Sequence, residues 1–197
     1  MKKALSFIIV CGLLTCAAVS CDNSANGSTI SEEASPQEAA KEAVRQYTET
    51  TYNGDADKNI ELSYPKSMIG PMSDSGTLDP LKETIKDIHK TMKLKKLSVS
   101  DETELSEQAL NGAATYFESM CGLLGIENTQ FNITAGYTMK ANRKIVNNGT
   151  TTKNTLQLSA VFIEDDGWKV LAMDEKKLEG FAESSNSSEN TSDTTEK

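Results

Sequence analysis

His89 is the only histidine in the 197-residue chain. A His-rich metal site, a histidine pair and a conventional Cys-His nucleophile therefore cannot be built from this sequence. His89 follows Ile88 among Lys86, Lys90 and Lys93, beside an apolar helical stripe, and the spacing predicts a partly exposed surface residue rather than a catalytic base. Cys121 lies among Tyr116, Phe117, Met120, Leu123 and Leu124, where a thiol is expected to be buried and structural rather than nucleophilic. Asp165-Asp166 and the Asp101, Glu102, Glu104 group are calcium-ligand types. No D-x-D-x-D-G loop with a later Glu accompanies either, so no metal and no cofactor is expected. Asp55 and Asp57 precede a short apolar-periodic run and are expected to cap it. No catalytic constellation emerges.

Two groups carry binding chemistry instead. Lys82, Lys86, Lys90, Lys93, Lys95 and Lys96 stand in fifteen residues with only Glu83 and Asp87, on a chain of net charge −9. The ordinary reading is a solvated helix face; the functional one is contact with an anionic lipid or cell-wall polymer. Phe131, Tyr137, Met139 and Trp168 fall on strand positions that would face a concave sheet surface. They are expected to pack as core or to line a mostly apolar pocket. The acidic pI of about 4.7 argues against nucleic acid as the partner.

The N-terminus points to a compartment. Lys2 and Lys3 precede an apolar stretch over 4–14, and no charge follows before Asp22. A largely apolar stretch of eleven residues is too short to span a bilayer but suits a signal-peptide core. The sequence Ala18-Val19-Ser20-Cys21 resembles the lipobox of bacterial lipoproteins, though Ala18 stands where that family prefers Leu. The resemblance implies cleavage before Cys21, lipidation of its thiol, and residence on the extracytoplasmic side of the cell membrane. Residues 1–20 would then be the signal, and the polar stretch 21–34 a flexible tether. Losing Lys2 and Lys3 takes the net charge from −9 to −11 and leaves Cys121 as the single free thiol, so no intramolecular disulfide is expected.

The elements that must position these groups fall into two halves. Ser35-Pro36 is a cap followed by Pro at the first helical position, and Ala40, Ala43, Val44 and Tyr47 recur at helical spacing up to Asn53-Gly54. A second short helix carries Ile60, Leu62 and Tyr64. Residues 67–77, rich in Gly, Pro and Ser, are expected to be a loop. Asp79-Pro80 opens a helix bearing Leu81, Ile85, Ile88 and Met92. A strand over 94–105 and a helix over 106–124, interrupted by Gly112, follow. From Phe131 to Ile145 the odd-numbered residues are apolar apart from Arg143, which marks a long half-buried strand. Asn148-Gly149 and Asp166-Gly167 turn the chain twice more into a meander. The segregation predicts an α+β fold, with helices packed on a curved antiparallel sheet. The folded domain is expected over 35–180, with 181–197 a disordered tail rich in Ser, Thr, Asn and acids.

The stretches YTETTYNGDADKNIELSYP (47–65) and FIEDDGWKVLAM (162–173) resemble the opening and ending of the nuclear-transport-factor-two-like, or cystatin-like, cone. The resemblance implies helices wrapped into the concave face of a bent sheet, a domain that often dimerises, and an interior that can serve as a pocket. The expectation is a non-catalytic binding or scaffolding lipoprotein for a small apolar ligand, a peptide, a cell-wall polymer or a protein partner. The competing expectation is a cone-type isomerase or hydrolase using a buried carboxylate.

Overall fold

The computed structural model describes residues 35–188. The proposed signal, the tether with Cys21, and residues 189–197 lie outside the described residues.

Helix α1 (Pro36–Asn53) starts where Ser35 accepts from the Glu38 N–H at 3.3 Å, and ends at Gly54, whose φ of 83° is left-handed. Helix α2 (Ala56–Ser63) is capped by Asp55, which accepts from the Lys58 N–H at 3.2 Å. Asp57 does not cap; it reaches Lys82 at 2.6 Å. Of the stretch 67–77 expected to be loop, residues 67–74 belong to helix α3 (Lys66–Asp74) despite Pro71 inside it. Met68 and Met72, four residues apart, are buried to 0% and 1% exposure. Burying two thioether side chains on one face outweighs the hydrogen bond that Pro71 cannot donate. Helix α4 (Leu78–Thr91) runs directly into strand β1 (Met92–Glu104), and helix α5 (Glu107–Leu123) follows, capped by Ser106.

Strands β2 (Ile133–Asn147), β3 (Thr150–Ile163) and β4 (Gly167–Leu171) complete an antiparallel four-stranded sheet in the order β1-β2-β3-β4. The α+β class, with N-terminal helices on an antiparallel sheet, is as expected. The hairpin is the one that Asn148-Gly149 predicts: both residues have positive φ, 47° and 80°, and Asn147 faces Thr150.

Helix α1 crosses the inner face of the sheet. Ala40, Ala43 and Val44 pack on Val99, Met139, Ala141, Leu158, Ala160 and Val170. One end of the outer face is covered by α5 and by the last helix, α6 (Glu175–Ser188). Leu105, Ala109, Ala113, Phe117 and Cys121 meet Val161, Ile163, Leu171 and Leu178 there, with Ile60, Met68, Met72 and Leu78 joining the same core.

Helix α6 departs from the expectation of a tail, and it carries the folded region past the boundary placed at residue 180. Leu178 is fully buried, Ala182 is buried, and the Phe181 ring stands 5.2 Å from that of Tyr116. The spacing of 178, 181 and 182 makes one short apolar stripe, which the polar composition around it obscures. Gly112 does not interrupt α5. It lets α6 approach, because a Cβ there would sit 1.8 Å from the Leu178 carbonyl oxygen.

Candidate functional site

The chemistry expected of single residues is disposed of by packing. His89 is half-buried, and its Nδ1 lies 2.8 Å from the Tyr52 carbonyl. A carbonyl only accepts, so Nδ1 carries the proton and donates. The ring also fills the space that Gly54 leaves, since a Cβ there would lie 2.9 Å from His89 Cγ. His89 is thus partly exposed, as expected, and also joins the ends of α1 and α4. Cys121 is 1% exposed, and burial pushes its thiol above the usual range, which suits the expected inert, structural role. Asp166 accepts from the Lys66 N–H at 2.7 Å, capping α3 from the β3-β4 turn, and pairs with the buried Lys169 at 3.0 Å. Lys169 in turn donates to the Glu61 carbonyl at 3.0 Å. These are links between elements. Among the described residues no three His, Cys, Asp or Glu side chains group as metal ligands.

The four residues expected to pack as core or to line a pocket all pack against core, but the fold divides them between two clusters. Met139 is 1% exposed beneath α1. Tyr137 and Trp168 pack against the same core with ring centroids 6.1 Å apart, and Phe162 stands 5.4 Å from Trp168. Phe131 is on the other side. It precedes β2 and packs on Phe117, centroid to centroid 5.5 Å, in the core under α5. The cause is an irregularity in register: Ile133 faces Ile163, but Ala135 faces Phe162. One extra residue at Thr134 reverses the alternation, so the odd-numbered series does not share a single face. A separate small cavity of about 220 Å³ lies between Tyr47, Tyr64, Tyr116 and the end of β4. Burial raises all three phenols above their ordinary range, so they remain protonated donors.

The lysine cluster is also divided. On the helical half, Lys82 pairs with Asp57 at 2.6 Å, Lys86 with Glu83 at 2.8 Å and Lys90 with Asp87 at 2.8 Å. Lys93 donates to the His89 carbonyl at 2.8 Å. The helix therefore presents largely compensated charge and not the free basic stripe its composition suggests. The strand half differs. Lys95 sits at a register shift between Leu94 and Lys96, and Lys96 then stands directly opposite Lys144. Lys144 stands opposite Lys153 on its other side. Three exposed lysines thus cross β1, β2 and β3 in one row, on the end of the outer sheet face away from α5 and α6.

That row borders a recess of about 400 Å³ whose lining includes Ser98, Asn142, Asn154 and Thr155. Asn142 is held on both sides, donating to Ser100 Oγ at 3.2 Å and accepting from Thr155 Oγ1 at 2.7 Å. Farther along β2, Lys140 pairs with Asp101 at 3.1 Å. Among the described residues none of Lys96, Lys144 and Lys153 has an acidic partner. Lys144 and Lys153 escape a reading by local clusters because they are nine residues apart in the sequence, on opposite sides of the hairpin turn. The signal is nonetheless present: they lie equally far from the Asn148-Gly149 turn, so a two-residue hairpin must place them face to face. Compared with known proteins, the chain matches no family model, no curated protein and no solved structure.

Proposed function

We propose that this chain is an exported lipoprotein, anchored through Cys21 on the outer side of the cell membrane, and that its domain binds a component of the envelope rather than catalysing a reaction. The signal-like N-terminus and the Ala18-Val19-Ser20-Cys21 sequence support the anchor. Several acyl chains on one cysteine, at about 0.8 kcal/mol per buried methylene, would hold the chain firmly.

The observation that carries the binding reading is the filling of the inner sheet face. Val44, Met139, Leu158 and Ala160 are each 0–1% exposed between α1 and the strands, so this face of the sheet is used as core. Among the described residues the buried polar and charged side chains are Thr48, Thr50, Asn59, Thr138, Ser159 and Lys169, and no carboxylate is among them. What the domain presents to its surroundings is the polar, lysine-bearing outer face of the sheet.

The anchor is tested by comparing wild type and Cys21→Ser in membrane and soluble fractions. The wild type is expected in the membrane and the variant released. A variant that stays in the membrane fraction would refute the anchor, as would mass spectrometry of the native protein showing an intact leader.

A further inference from the structure

We propose that Lys96, Lys144 and Lys153, with Ser98, Asn142 and Thr155 beside them, form a site on the outer sheet face for a compact polyvalent phosphate such as a di- or triphosphate. The proposal rests on the reading of this domain as a binding module and is independent of the lipid anchor.

The argument begins with cost. Like charges directly opposite on neighbouring strands destabilise a sheet, and here two such pairs share Lys144. Several lysines elsewhere in the domain have acidic partners: Lys41 has Glu102 at 2.6 Å, Lys82 has Asp57, and Lys140 on this same face has Asp101. In a chain with 29 acidic residues and 20 basic ones, three adjacent lysines with no acid beside them among the described residues stand out. An anion seated among them would turn the repulsion into attraction.

Geometry selects the anion. Strands are about 4.8 Å apart, so the row spans about 10 Å from first strand to third. Three flexible ammonium groups can converge on one small multivalent ion, and each supplies three donors. The recess of about 400 Å³ beside the row is of small-molecule size. Ser98, Asn142 and Thr155 form the next row across the same strands; the Ser98 hydroxyl and the Asn142 amide border the recess, and Thr155 holds Asn142 in place. A long polyanion is disfavoured, because beyond the row it would run over a protein of net charge −9. A bilayer surface is disfavoured too: the recess is lined by Lys, Arg, Ser, Asn and Thr, with no apolar side chain to enter the lipid.

The full chain carrying Cys21→Ser, which removes any affinity due to acylation, is titrated calorimetrically with orthophosphate, pyrophosphate and tripolyphosphate. Affinity is expected to rise in that order and to fall as salt is raised. Lys144→Gln and Lys153→Gln should each weaken tripolyphosphate binding about tenfold or more, while Lys86→Gln on the compensated helix leaves it unchanged. Because Lys144→Gln relieves repulsion, its Tm should rise by a few degrees, which separates lost binding from lost folding. Absence of binding to all three phosphates would overturn the proposal, as would equal binding by the wild type and the Lys144 variant. Sedimentation with anionic but not neutral phospholipid vesicles, without tripolyphosphate binding, would overturn it in favour of a lipid surface. None of these titrations depends on where the native chain is anchored, so failure here leaves the Cys21 fractionation result untouched.

Discussion

At the scale of single residues, the positions that looked chemical turn out to be joints. Gly54 is the clearest case. Its φ of 83° favours glycine, and a Cβ there would come within 2.9 Å of the His89 ring. Gly54→Ala should cost about 1–2 kcal/mol for the left-handed backbone, with a further penalty for displacing His89. In a His89→Ala background the cost should shrink towards the backbone part alone. Urea denaturation of the four members of this cycle measures the difference. Additive costs would mean that His89 does not press on this turn.

Glu102 gives a pH prediction at the same scale. A hydrogen bond from the Lys41 ammonium, at 2.6 Å, holds its carboxyl below the usual carboxylate range. A carboxyl that is more acidic folded than unfolded binds fewer protons in the native state. Its contribution is present above the unfolded value of about 4.3 and is lost as pH falls through the folded one. Both side chains are partly exposed, so the effect is modest. Glu102→Gln should flatten the acid limb of the stability-pH curve and leave its shape above about pH 6 unchanged; an unaltered acid limb would rule this pair out as its source.

At the scale of elements, the last helix decides where the domain stops. Leu178 and Ala182 are buried and Phe181 meets Tyr116, so a chain ending at residue 180 loses part of that contact while one ending at 188 keeps it. The shorter chain should melt several degrees lower than the longer one, whose Tm should match the full chain. Leu178→Ala, a full-size truncation in a closed site, should cost about 2–4 kcal/mol. Gly112→Ala should be of similar severity although it adds only a methyl group, because its neighbour is backbone and cannot rotate away. The element boundaries signalled by caps and turns are readable: Ser35, Gly54, Asp55, Ser106 and Asn148-Gly149 each act as their chemistry suggests. Helix α3 is not. Its Gly70, Pro71 and Ser73 all favour a loop locally, and only the burial of Met68 and Met72 against other elements makes it helical.

At the scale of the molecule, α1 plugs the inner face of the sheet. Met139→Ala should therefore open an apolar cavity where none is needed for folding, at about 2–5 kcal/mol. A small apolar fluorophore should bind the variant and not the wild type, and equal binding by the wild type would mean that the inner face is already open. The sequence by itself determined where helices begin, where the hairpin turns, that β2 and β3 alternate with period two, and that Cys121 is buried, because each follows from neighbours close along the chain. It also held the opposition of Lys144 and Lys153, since a two-residue turn sets hairpin register. Only the tertiary structure decided that Phe131 lies across the sheet from Met139, because a single bulged residue reverses the alternation without leaving a mark in composition. The same is true of the lysines. Asp57 neutralises Lys82 from another helix, and β1 carries Lys96 to Lys144 across the intervening α5. Whether a charge is compensated depends on which residues pack beside it, and that is settled by folding rather than by order along the chain.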